Sequence, residues 1–206
     1  EPATAERCLA QVGIAFLFAP TFHPSMRHAG PTRRDLGVRT VFNLLGPVTN
    51  PAGATRQVIG VPRPDYTDLI AQVLAHLGSE RAWVVHGAEG LDEISIGGYT
   101  KVSECHGGVV HTFYLHPSDF GIQPGRVEDA RVKGLTESLV MAREVLDGVQ
   151  GVARRFVLIN AAAGLLVAGR VTSLPEGARL AGTALDDGSA RAKLEELVDV
   201  SHENTR

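Results

Sequence analysis

RQVIGVPRPDYTDLIAQVLAHLGSERAWVVHG, residues 56–87, decides the fold class. RQVIGV reads as a strand, DYTDLIAQVLAHLG as a helix that stops on Gly78, and RAWVVHG as a second strand. Strand, helix and strand within about thirty residues is the βαβ unit of a parallel sheet. Ligands of such sheets bind beyond the carboxyl ends of the strands. GLDEIS, residues 90–95, follows one of those ends at once, and it sets two carboxylates, Asp92 and Glu93, side by side.

Downstream, YTKVSECHGGVVHTFYLHP (99–117) predicts an antiparallel hairpin turning at His106, Gly107 and Gly108. TESLVMAREVLDG, GVARRFVLINAAAGLLVAG and LPEGARLAGTALDDGSARAKLEELVDV then supply helices to cover the sheet. Upstream, EPATAERCLAQVG predicts a helix capped by Thr4, with Cys8, Leu9 and Val12 at helical spacing. IAFLFAP is a short apolar run, and two short helices are expected across residues 23–47, interrupted by Gly30 and Pro31. TNPAGAT (49–55) is all turn formers and marks a boundary. The expected architecture is therefore α/β: a segment of a small helical domain with a hinge (1–55), then an α/β domain (56–206) whose mixed, mainly parallel sheet is flanked by helices.

Composition narrows the function. The chain has 206 residues, 44% hydrophobic, and a formal net charge of -3, which speaks against a nucleic-acid binder, since those carry a clear basic excess. Only Lys101, Lys133 and Lys193 of the twenty basic residues are lysines; an arginine-rich genome explains that skew as well as phosphate or carboxylate recognition does. The two cysteines, Cys8 and Cys105, lack metal-ligand spacing and fit a cytoplasmic protein with free thiols. FVLINAAAGLLVAG is too short to span a membrane and carries Asn160, so it reads as a buried helix. No signal peptide is visible, and the chain opens at Glu1 on helix-like sequence, as a segment of a longer protein would.

Among candidate residues, Asp92 and Glu93 admit two readings. Acids at a turn often do no more than complement a helix N-terminus; at a strand end they also suit Mg²⁺, which takes one or two carboxylates and fills its octahedron with phosphate oxygens and water. Arg33 and Arg34 are either an exposed ion-paired face or a fork for a substrate carboxylate. His23 stands alone between an aromatic and a proline, where packing is the commoner role. His106, His111 and His116 recur every fifth residue, and strand positions five apart face opposite sides, so they do not converge on one ion. RTVFNLLGPVTNP (39–51) is either a helix stop with a linker or a hinge whose Pro47 lines a small aromatic pocket. GxxxxGK[ST], GxGxxG after a strand, a serine nucleophile elbow and HExxH are all absent.

FLFAPTFHPSMRHAGPTRRDLGVRTVFNLLGPVTNPAG (16–53), GLDEIS and LINAAAGLLVAG (158–169) together closely resemble the C-terminal part of the anthranilate phosphoribosyltransferases, over nearly the whole chain. The family's glycine-rich pyrophosphate loop lies upstream of this part and is not in these 206 residues. The resemblance implies transfer of a phosphoribosyl group from phosphoribosyl pyrophosphate (PRPP) to anthranilate, in tryptophan biosynthesis, by an Mg²⁺-dependent cytoplasmic homodimer with no nucleic-acid or membrane partner. It implies that Arg33 holds the anthranilate carboxylate, that Pro20, His23, Met26 and Pro47 wall the anthranilate channel, and that Asp92 and Glu93 hold Mg²⁺. No catalytic acid or base is implied, and these residues alone are expected to be inactive. KGLTESLVMAREVLDG departs from the family, which more often has a second glycine and an Asn-Ala pair there. Two rival functions share the fold: a pyrimidine nucleoside phosphorylase-like enzyme and a non-catalytic nucleic-acid-binding paralogue.

Overall fold

In the computed structural model the described residues are 1–24, 35, 37, 45, 46 and 48–203. Met26, Arg33, Arg34 and Pro47 lie outside them, as does most of the stretch expected to hold two short helices. The chain forms two compact units, one of residues 1–53 with 189–206 and one of residues 54–188.

The second unit opens with the expected strand, helix and strand: β1 (Arg56–Gly60), a helix Tyr66–His76 and β2 (Arg81–Gly87). β3 (Thr100–His106) and β4 (Val109–Leu115) follow, and the sheet order is β1-β2-β3-β4. β1 and β2 are parallel, with Val58 opposite Trp83. The β2–β3 and β3–β4 pairings are antiparallel, so the sheet is mixed but, among the described strands, not mainly parallel. The reason lies in the connection: residues 88–99 hold no helix, and a segment without a crossover can only double back. β3 and β4 turn at Gly107 and Gly108, whose φ of 58° and 80° give the positive angles of a two-residue hairpin.

One sheet face carries the main core. Trp83, Val85 and Val102 pack with Ile94, Ile96 and Phe120 against Ile159, Ala162 and Ala163. The last three belong to the helix Val152–Val167, which packs on Leu174–Asp186. Those two helices approach so closely at Gly177 that a Cβ there would sit 3.0 Å from the Ala162 backbone, which the absence of a side chain permits. Trp83 donates through Nε1 to Glu104 at 2.9 Å, and Arg81 bonds the same carboxylate at 2.8 Å. On the opposite face, Tyr66–His76 buries Ile70, Ala71 and Leu74. Its Asp68 accepts from Lys101 at 2.8 Å, from Ser103 at 2.9 Å and from Thr112, which fastens helix to sheet.

In the first unit, α1 (Pro2–Val12) begins earlier than Thr4 predicts, because Pro2 supplies the preset first position. Ala5, Cys8 and Val12 face inward, whereas Leu9 is 54% exposed. α2 (Ala19–Phe22) is a single turn. The terminal helix Ser189–His202, expected to help cover the sheet, belongs to this unit and not to the one that holds the sheet. It packs beside α1, where Arg7 donates to the Val200 carbonyl at 3.2 Å. With the 3-10 turns Pro117–Phe120 and Val127–Ala130 set aside, the helices in chain order are α1, α2, α3 (Tyr66–His76), α4 (Leu135–Leu146), α5 (Val152–Val167), α6 (Leu174–Asp186) and α7 (Ser189–His202). No helix among the described residues is long and apolar enough to cross a membrane.

Candidate functional site

The acidic turn sits at the carboxyl ends of the parallel pair. Gly87 closes β2, and its N–H donates to the Leu91 carbonyl at 2.9 Å, while Gly90, at φ 78°, donates back to the Gly87 carbonyl at 3.0 Å. This tight reversal aims residues 91–93 across the strand ends. Both strands end in glycine for a steric reason. A Cβ on Gly60 would fall inside the Asp92 carbonyl, and one on Gly87 would lie 2.8 Å from the Glu93 carbonyl oxygen. The backbone of the two acids therefore rests directly on β1 and β2.

Behind the acids the chain is pinned again. Ile94 is buried in the core, and Asn160 of α5 takes both of its backbone groups. The Asn160 amide oxygen accepts from Ile94 N–H at 2.9 Å, and its Nδ2 donates to the Ile94 carbonyl at 3.2 Å and to the Phe156 carbonyl at 3.0 Å. Ser95 N–H donates to Thr100 Oγ1 at 2.8 Å. The Ser95 hydroxyl donates to Glu89 and accepts from the N–H groups of Gly97 and Gly98, each at 3.0 Å.

Asp92 and Glu93 themselves are exposed, and neither carboxylate has a hydrogen-bond or ion-pair partner among the described residues. Packing around the turn, and then the Asp92 charge beside it, push the Glu93 carboxyl above its ordinary range. Two adjacent anionic oxygen donors with no compensating side-chain cation among the described residues fit a hard divalent ion. No group of three or more His, Cys, Asp or Glu side chains is placed to hold a metal among the described residues. Any ion at this turn would therefore complete its shell with oxygens from phosphate and water.

The other expected site residues fall in the first unit. Pro20 is exposed in the first turn of α2, and half-buried His23 ends that turn, its N–H donating to the Ala19 carbonyl at 2.9 Å. A cavity of about 280 Å³ in this unit is lined by Cys8, Phe16, Phe18, Thr21, Phe22 and Val198, among others. Pro20 and His23 do not line it. Gly60, Asn160 and the Glu89–Ser95 pair were given no part in the site by the sequence-based expectations. Two successive strands both closing on glycine, and one Asn inside an apolar helix, were the available signals.

The profile of a family described as "Glycosyl transferase family, a/b domain" matches residues 1–191. The chain belongs to that family. Within it, the chain is 49% identical over 201 residues to an anthranilate phosphoribosyltransferase of Xanthobacter autotrophicus, covering 98% of this chain and 58% of that protein. The crystal structure of the anthranilate phosphoribosyltransferase of Thermus thermophilus superposes with a TM-score of 0.89 at 40% identity, covering 97% of this chain and 59% of that one. A Saccharomyces cerevisiae anthranilate phosphoribosyltransferase in complex with PRPP and Mg gives 0.83 at 31% identity, over 91% of this chain and 54% of that one. The chain thus spans about 57–60% of the length of the curated relatives it matches. Its α/β fold, a four-stranded mixed sheet flanked by helices, is that of these relatives.

Proposed function

We propose that this chain is the part of an anthranilate phosphoribosyltransferase that holds Mg²⁺ against the pyrophosphate of PRPP and receives anthranilate. One observation carries the reading: two neighbouring carboxylates, fixed at parallel strand ends and without an ion-pair partner among the described residues, in a chain 49% identical to such an enzyme. Asp92 and Glu93 would hold the metal. When bound, Mg²⁺ neutralises the charge that collects on the departing pyrophosphate. Arg33 pairs with the anthranilate carboxylate through its planar fork, and Pro20, His23, Met26 and Pro47 wall the path of the ring. The amine of anthranilate is neutral at pH 7, so its attack on the ribose carbon needs placement more than a strong base. The homodimer expected from the resemblance belongs to the same proposal, and sedimentation velocity tests it.

The test uses a polypeptide of the relatives' full length that carries this sequence, with anthranilate, PRPP and Mg²⁺, following loss of anthranilate fluorescence. Turnover is expected there and not from residues 1–206 alone. Asp92→Asn with Glu93→Gln should remove most of the rate at limiting Mg²⁺. Arg33→Ala should raise the KM for anthranilate about ten- to a hundredfold, the value of a charge-assisted pair, with little change for PRPP. No turnover at full length, or a double variant as active as the parent, overturns the reading.

A further inference from the structure

Asn160 is the side chain that the proposed metal role does not use, although it stands next to it. It lies on α5, sixty-six positions from Ile94 in sequence, and it bonds both the N–H and the C=O of that residue. Ile94 directly follows Glu93 and is 1% exposed, so neither of its backbone groups has water as an alternative. No strand lies beside it either, among the described residues: the bridge at the turn joins Gly87 with Leu91. A primary amide presents one acceptor and donors in the same plane, the pattern a neighbouring strand residue would offer. Asn160 therefore substitutes for a strand where the sheet has none.

The consequence falls on the acids. Upstream, Asp92 is fixed by its carbonyl against Gly60, and downstream, Glu93 is held through Ile94. With both ends held, the two carboxylates are presented to an ion already in place. With the Asn160 bonds removed, the backbone of Glu93 must be ordered when the ion binds, and part of the binding free energy is spent on that ordering.

We infer that Asn160 is a positioning residue for the divalent-cation site at Asp92 and Glu93. This rests on the proposed metal role of those two acids.

The probe is Mn²⁺ alone, titrated into the ¹⁵N-labelled 206-residue chain, with paramagnetic broadening of the amide resonances around Asp92 as readout. Asn160→Leu keeps the volume and removes the amide. Its midpoint should rise roughly five- to thirtyfold, the factor for ordering the backbone of about one residue, at a temperature where circular dichroism shows it folded. Asp92→Asn should remove the broadening in the parent. A parent whose broadening survives Asp92→Asn removes the metal site, and the inference with it. Broadening lost in Asp92→Asn but unshifted in Asn160→Leu overturns the inference alone and leaves Asn160 a packing residue. If Asn160→Leu does not fold, the unmodified chain decides by linkage: an ion helped by an ordered turn must order it, so Mn²⁺ should slow exchange of the Ile94 amide, read by mass spectrometry after quenching. Unchanged exchange at saturating Mn²⁺ overturns the inference.

Discussion

At the scale of single residues, Asp92 and Glu93 were legible because two acids after an apolar strand form a local pattern. Gly60 and Asn160 were not, because what they do is decided by contacts with residues far along the chain. Gly60 makes the sharpest prediction. Gly60→Ala puts a methyl inside the Asp92 carbonyl, and backbone on both sides leaves nothing flexible to yield. The turn must lift from β1, with an expected loss of about 1–3 kcal/mol in urea unfolding and weaker Mn²⁺ binding. Gly164→Ala is the contrast: it lies inside α5, and a Cβ there meets nothing within 4 Å. That change should raise stability by about 0.5–1 kcal/mol. Equal effects from the two glycines would mean that the contact at Gly60 is not what requires glycine there.

At the scale of elements, the βαβ unit, the β3–β4 hairpin and the helical character of 152–167 were all readable, since period and turn residues are local. Two expectations failed for one common reason: they concerned which element packs on which. The sheet's balance of directions depends on what fills residues 88–99, and the place of α7 depends on a partner, α1, at the other end of the chain. How α3 is fastened to the sheet was likewise invisible. Hydrogen bonds from Lys101, then Thr112 and Ser103, hold the Asp68 carboxyl down at about 2. A carboxyl whose folded value is depressed stabilises fully above its ordinary range, and that contribution is lost as pH falls toward about 2. Asp68 is 43% exposed at its side chain, so solvent screening limits the ion-pair part to about 1 kcal/mol or less. Asp68→Asn should therefore lower stability near neutral pH, and its deficit should shrink between about pH 4 and pH 2. Urea titrations of parent and variant across that range check it, and a deficit that does not change with pH would mean the Asp68 charge contributes nothing.

At the scale of the molecule, every residue that builds the acidic turn lies within one compact unit. Gly60, Gly87, Glu89, Asp92, Glu93, Ser95 and Asn160 all fall between Ala54 and Gly188, as does the whole core cluster around Trp83 and Ile159. A unit with its own sheet, helices on both faces and a continuous apolar core meets the conditions for independent folding. The polypeptide 54–188 should then keep the circular dichroism of a mixed α/β fold and unfold in a single urea transition. It should also bind Mn²⁺ with a midpoint within about threefold of the 206-residue chain, since neither Asp92 nor Glu93 is removed; sites without shared partners change affinity by only a few tenths of a kcal/mol. The prediction separates two ways in which the acids could be held. If the turn is set by Gly60, Gly87 and Asn160, the smaller piece carries the site intact. If 54–188 folds but its Mn²⁺ midpoint rises about tenfold or more, a change beyond what independent sites produce, residues 1–53 or 189–206 contribute to the cation site, and the account of a turn fixed by its own strands and by α5 is incomplete.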